Sequence, residues 1–169
     1  GFGGSSIILQ HPSQAELALR LHLNVAAPAV ILPDTLTNCD AVVQQLTAFS
    51  IPRSFVIEIF NRAQDSTGLT DAVKKRFTSV MGNATWFSVT VVPRATYSLH
   101  DMLRGSIVTR SLTVREAAKK AVDALVNLHS TSTPDSVDDV CHGDIKPANL
   151  LVYDGERATV RLNDFADNG

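Results

Sequence analysis

The sequence predicts an α+β fold, because three of its segments carry distinct secondary-structure patterns. Residues 86–92 are apolar, rich in β-branched side chains and followed by a proline, which is typical of a strand. Residues 114–128 repeat apolar side chains every three or four positions behind a capping box, which predicts a helix. An Asp-Gly turn between the apolar runs 150–153 and 158–162 predicts a β-hairpin.

The rest of the chain adds shorter elements. Residues 55–60 are β-branched and aromatic with one central charge, so we expect a buried strand there. The remaining apolar and turn patterns predict further strands at 5–9 and 29–32, further helices at 13–23, 40–49, 70–80 and 99–104, and a loop at 130–139.

Length and composition limit the possible classes of protein. The chain has 169 residues, with 44% hydrophobic and 19% charged side chains, which is typical of a globular domain and not of disorder. A formal net charge of −2 provides no basic field for nucleic acid. The apolar stretch 25–32 is too short to cross a bilayer, so we expect no membrane insertion. Cys39 and Cys141 are neither clustered nor numerous, which favours a reduced, cytoplasmic compartment.

The segment His142-Gly143-Asp144-Ile145-Lys146-Pro147-Ala148-Asn149 carries the clearest chemical signal. Phosphoryl transfer from ATP needs an oriented acceptor hydroxyl and positive charge against the transferring group. Asp144 is a candidate to accept or orient the hydroxyl proton, and Lys146 is a candidate to face the phosphoryl group. Both are therefore predicted to be catalytic.

A magnesium site is predicted beside these two residues. Asn149 and Asp164 supply the hard oxygen ligands that Mg²⁺ prefers. The predicted hairpin fills the interval between Asp144 and Asp164, and it would return the chain so that both carboxylates face one cleft.

These residues resemble the motifs of the protein-kinase family. Residues 142–149 are similar to its catalytic loop, with Gly143 in place of the usual arginine. The triplet Asp164-Phe165-Ala166 is similar to its metal-binding triplet, with Ala166 in place of glycine. The resemblance implies a two-lobed kinase-like fold that is incomplete here, with a small lobe at 1–93 and the first part of the large lobe at 94–169. The resemblance also implies that residues 1–169 are a fragment, so we expect them to be poorly stable alone.

The resemblance extends back from the catalytic loop as far as residue 86. Residues 97–103 resemble the short helix after the kinase hinge, and the helix that ends near residue 128 resembles the one leading to the catalytic loop. Residues 86–92 would then form the hinge strand, which makes Val91 and Val92 candidate nucleotide-binding residues. Gly1, Gly3 and Gly4 resemble a remnant of the glycine-rich phosphate loop, so ATP and Mg²⁺ are the implied cofactors.

One part of the kinase pattern is missing from the sequence. A kinase holds the ATP phosphates with a strand lysine that pairs with a helix glutamate. The predicted strand at 55–60 offers Glu58 but no lysine. Three explanations stay open, namely a different strand assignment, a lysine such as Lys74 or Lys75 reaching in from another element, or impaired nucleotide binding.

Three functions are compatible with these motifs. A lysine at position 146 is what Ser/Thr protein kinases usually carry, so the first expectation is a transferase with a protein substrate. Gly143 instead favours a small-molecule kinase resembling aminoglycoside or choline phosphotransferases. The missing strand lysine and Ala166 favour a pseudokinase that acts as a binding module.

Overall fold

The computed structural model describes residues 6–11, 13–22, 36, 38–67, 75, 78–79, 81–107, 112–130 and 142–164. The chain divides into two compact units, the first made of residues 1–31 and 45–92 and the second of residues 32–44 and 93–169. Helices and antiparallel sheets occur in the described residues, so the predicted α+β class is confirmed.

Seven strands and three helices have bounds within the described residues, and residues 75, 78, 79 and 81 are also helical. The strands are β1 (Ser6–Gln10), β2 (Leu17–His22), β3 (Thr47–Pro52), β4 (Trp86–Pro93), β5 (Tyr97–Ser98), β6 (Leu150–Tyr153) and β7 (Thr159–Leu162). The helices are α1 (Arg53–Thr67), α2 (Leu99–Leu103) and α3 (Val114–Ser130), and a single 3-10 turn covers Pro147–Asn149. Among these described helices, none is long and apolar enough to span a bilayer.

The first unit is a four-stranded sheet with one helix packed on it. Its strand order is β1-β2-β4-β3. Strands β1 and β2 pair antiparallel with Leu9 opposite Leu19, and β3 and β4 pair antiparallel with Ile51 opposite Phe87. Phe87 and Val89 alternate along β4 and meet Val56 of α1 in a buried cluster. The predicted strands at 5–9 and 86–92 are therefore confirmed as β1 and β4.

The predicted strand at 55–60 is wrong, because these residues lie in α1. Val56 and Phe60 are buried at the i, i+4 spacing of a helix, whereas Phe55 is 48% exposed. Glu58 accepts a hydrogen bond from Arg62 one turn later, at 2.5 Å on the exposed side. Burial on one helix face therefore overrides the β propensity of the segment.

Two predicted helices in the first half are also wrong. The segment 13–23 contains β2, which pairs antiparallel with β1, and Ala18 and Leu21 are buried on opposite faces of this strand. The segment 40–49 contains a turn and the start of β3, and the consecutive residues 41–43 are all buried, which no single helix face can do. The predicted strand at 29–32 lies outside the described residues. So does the loop predicted at 130–139, except for Ser130, which is instead the last residue of α3. Most of the helix predicted at 70–80 also lies outside them, and its described residues Lys75, Thr78 and Ser79 are helical.

The second unit is built around the predicted hairpin. Strands β6 and β7 pair antiparallel in register at Leu150↔Leu162, and β5 pairs on the other side of β6. Helix α3 presents Ala117, Ala121 and Leu128 to the same core as Leu162. Its start carries the predicted capping box, with Glu116 N donating to Thr113 Oγ1 at 3.3 Å and Thr113 N donating to Glu116 Oε2 at 2.8 Å. The predicted helices at 99–104 and 114–128 are confirmed as α2 and α3.

Candidate functional site

His142 is the buried support of the predicted catalytic loop. Its side chain is 1% exposed, its Nε2 lies 3.0 Å from the Asn163 carbonyl oxygen, and its Nδ1 accepts from Asp144 N at 3.3 Å. Because a carbonyl only accepts, Nε2 carries the proton and the imidazole is neutral. Burial is the main reason that the pKa of His142 is lowered below its ordinary value. His142 therefore links Asp144 to the end of β7 and has no free nitrogen for proton transfer.

A proline-led turn brings Asn149 back onto Asp144. Lys146 is extended (φ −149°, ψ 157°), as expected for a residue before proline, and Asn149 N donates to Lys146 O at 2.9 Å. The buried Asn149 amide nitrogen then lies 2.9 Å from Asp144 O and 3.0 Å from Asp144 Oδ2. The spacing of the motif is therefore explained by one tight turn.

Asp144 and Lys146 form a half-exposed ion pair. The Lys146 ammonium donates to Asp144 Oδ2, and the side chains of Asp144 and Lys146 are 43% and 50% exposed. The hydrogen bond from Lys146, assisted by the one from Asn149, holds the pKa of the Asp144 carboxyl below its ordinary value. The same bond raises the pKa of Lys146, and the Asp164 charge adds to this effect. Both groups are charged at neutral pH and reachable from solvent.

The hairpin carries Asp164 to the same loop. Asn163 N donates to Asn149 O at 2.9 Å, directly beyond the Leu150↔Leu162 pair, and Asp164 is the next residue. Asp164 has a positive φ of 64°, which is uncommon for a residue with a side chain. Gly143 also has a positive φ, of 72°, where an arginine would be strained.

The remaining predicted site residues fall into two groups. Val91 and Val92 are on β4 and buried, and Val91 O accepts from Leu46 N at 2.8 Å. The positions outside the described residues are Gly1, Gly3, Gly4, Lys74, Phe165 and Ala166.

The sequence analysis missed the basic residue of the first sheet. Arg20 on β2 is the one Lys or Arg among the described strands β1 to β4. The segment 55–60, predicted as the strand that would carry such a residue, forms α1 instead. Leucine alternates with other residues along 17–22, which is typical of a strand and not of a helix. That alternation could have identified Arg20 as a strand residue.

The donor set fits magnesium only in part. Among the described residues, no three His, Cys, Asp or Glu side chains cluster to hold a metal ion. Asn149 and Asp164 offer an amide and a carboxylate, which are hard oxygen ligands. Mg²⁺ usually takes one or two protein ligands and completes its shell with water and nucleotide phosphates, so the two residues fit a nucleotide-bound ion.

His142 gives the site a testable pH dependence. Its pKa is lowered by folding, so below its ordinary value of 6.5 the unfolded chain binds a proton that the folded chain does not. This contribution to stability is complete above the unfolded pKa and is lost as the pH falls through the folded one. Between about pH 7 and pH 5 the Tm of the wild type should fall more steeply than that of His142→Gln, since all other histidines are common to both. Parallel Tm profiles would show that His142 is not buried in its neutral form.

No protein-family model matches this chain, and a comparison with curated proteins finds no match either.

Proposed function

We propose that this chain belongs to an ATP- and Mg²⁺-dependent phosphotransferase that acts on Ser/Thr hydroxyls of a protein substrate. The observation that carries the proposal is the half-exposed Asp144 carboxylate, which is oriented by Lys146 and Asn149. The Asn163 N–H donates to Asn149 O, and Asp164 is the next residue. A second carboxylate therefore belongs to the same hydrogen-bonded loop. The resemblance to protein kinases assigns the same four residues to phosphoryl transfer.

The proposed step is a direct transfer in which Asp144 handles the proton. The substrate hydroxyl oxygen forms a bond to the γ-phosphorus of ATP, the bond from that phosphorus to the β–γ bridging oxygen breaks, and ADP leaves. Asp144 accepts the hydroxyl proton. The Lys146 ammonium offsets negative charge on the transferred group. Asn149 and Asp164 would hold Mg²⁺, which supplies charge neutralisation on the phosphates when bound.

The first unit has one basic residue in its described strands, Arg20. Protein kinases hold the ATP phosphates with a strand lysine, and Arg20 is the basic residue that the described strands of the first sheet provide. A guanidinium binds phosphate oxygens at least as well as an ammonium. Arg20 is therefore a candidate phosphate-binding residue of the first unit.

A thermal-shift measurement tests nucleotide binding directly. A ligand at 100 times its Kd stabilises a protein by about 2.7 kcal/mol, which for a chain of this size raises the Tm by roughly 5–10 °C. We expect such a rise with ATP and Mg²⁺, and a smaller one with ATP and EDTA. A Tm unchanged by ATP under both conditions would favour a pseudokinase that uses the fold only for contacts.

Transfer of radiolabelled phosphate identifies the acceptor. We expect label from ATP to enter Ser and Thr of a mixed peptide library. Label that enters choline or an amino sugar, and not the peptides, would instead support the small-molecule kinase that Gly143 favours.

A further inference from the structure

Residues 41–43 form a second pairing partner for β7. Leu162 N donates to Ala41 O at 2.7 Å, Val43 N donates to Leu162 O at 2.9 Å, and Val42 forms a parallel bridge with Leu162. On its other side, β7 pairs with β6. At Leu162 the strand therefore has a neighbour along both edges.

The Gln44 side chain reinforces the turn that leads into residues 41–43. Gln44 Nε2 lies 2.7 Å from Cys39 O, 3.2 Å from Leu36 O and 3.3 Å from Val42 O. Three carbonyl oxygens around one atom identify it as the amide nitrogen and not the oxygen. Because Leu36, Cys39 and Val42 are buried, those carbonyls have little access to water. Leu36 O and Cys39 O also accept from Cys39 N and Val42 N, each at 3.1 Å, so Gln44 adds a side-chain donor to the backbone bonds of this turn.

The hydrogen-bonded chain continues from Leu162 into the candidate site. Asn163 follows Leu162, donates from its amide to Asn149 O at 2.9 Å, and accepts from His142 Nε2 at 3.0 Å through its carbonyl. Asp164 comes next, in its left-handed conformation. A left-handed backbone persists only where its surroundings hold it, so the placement of Asp164 depends on how firmly Leu162 and Asn163 are held.

We propose that Gln44 is a positioning residue for Asp164. It acts through residues 41–43, which hold the end of β7 and so set where the Asp164 carboxylate lies. The expected effect on Mg²⁺ binding rests on the proposed function, because a carboxylate held less firmly binds the Mg²⁺ of a nucleotide complex less well. Its structural part, the coupling of Gln44 to Leu162 and Asn163, can be measured without any ligand.

The test compares two substitutions at the same position. Gln44→Glu keeps the shape of the side chain but replaces the amide donor with a carboxylate that only accepts. Gln44→Lys keeps a donor of similar reach and serves as the rescue. Gln10→Glu makes the same chemical change on an exposed residue of β1 and controls for the added charge.

Hydrogen exchange of the amides gives the ligand-free readout. In Gln44→Glu we expect the amides of Leu162 and Asn163 to exchange at least about tenfold faster than in the wild type, relative to the amides of α3. Gln44→Lys and Gln10→Glu should stay within about twofold of the wild type. If Gln44→Glu does not fold, the test rests on Gln44→Lys, in which the Leu162 amide must exchange at the wild-type rate. Unchanged exchange in a folded Gln44→Glu, or lost protection in a folded Gln44→Lys, would overturn the inference.

The Mg²⁺ titration gives the functional readout. Metal affinity typically falls 10–100-fold when a partner bonded to a ligand is removed, and Gln44 acts from farther away, so we expect a loss of about threefold to tenfold in Gln44→Glu. The Tm shift with ATP and EDTA should be unchanged. If the wild type shows no Mg²⁺-dependent shift at all, the proposed function fails, and hydrogen exchange still decides whether Gln44 positions the end of β7.

Discussion

Asp144→Asn is expected to abolish most of the phosphotransferase activity while leaving the fold and nucleotide binding intact. Asn keeps an oxygen that can accept from Lys146 and Asn149, so the loop geometry survives, but a neutral amide cannot take the hydroxyl proton. General base catalysis contributes about 10²–10⁴-fold, so kcat should fall by that factor. Initial rates at saturating ATP and Mg²⁺ measure it.

A matched variant separates this effect from a simple loss of charge. Asp123 lies on the exposed side of α3, and Asp123→Asn should retain the wild-type kcat. The Tm of Asp144→Asn should stay close to that of the wild type, because ion pairs between half-exposed groups contribute little to stability. If Asp144→Asn kept more than about a tenth of the activity, Asp144 would not be the group that accepts the proton.

Asp164→Asn should remove the Mg²⁺-dependent part of nucleotide binding. Asparagine tolerates a positive φ better than most residues with a side chain, so the backbone at 64° should be kept. The change then reports the loss of the carboxylate charge from the metal site. We expect the apparent Mg²⁺ affinity to drop at least about tenfold, and the extra Tm rise on adding Mg²⁺ to ATP to disappear.

Two comparisons make the Asp164 result specific. The Tm rise with ATP and EDTA should be the same in Asp164→Asn and the wild type, since no metal is bound in either. Asp154→Asn, on the exposed hairpin turn, should keep the Mg²⁺-dependent rise. A full Mg²⁺ response in Asp164→Asn would remove Asp164 from the metal site, and a lost response in Asp154→Asn would point to general damage to the hairpin.

Elements whose pattern is local were predictable from the sequence alone. The capping box of Thr113 and Glu116 and the hairpin of β6 and β7 involve neighbours in the chain, and both form as expected, although the hairpin loop spans the five residues 154–158 and is not a tight Asp-Gly turn. The motif at 142–149 is of the same kind, because one proline-led turn returns Asn149 to Asp144 within five residues. Asp144, Lys146 and Asn149 could therefore be identified from their spacing in the sequence.

Elements whose state depends on a distant partner were not predictable in this way. Residues 55–60 have strand propensity, yet they form a helix because Val56 and Phe60 pack in one buried cluster with Phe87 and Val89 of β4. Residues 41–43 pair with a strand about 120 positions later in the chain, and no local sequence pattern predicts that pairing.

The sequence by itself therefore determined the α+β class, the hairpin, the capped helix and the identity of the loop that carries Asp144. Only the tertiary structure decided which segments of the first half are strands, that Arg20 is the basic residue of their described strands, and that Gln44 bonds to the turn whose Val42 pairs with Leu162 of β7. The physical reason is the range of the interactions. Caps and turns are satisfied by neighbouring residues, whereas sheet pairing and burial depend on residues far away in the chain.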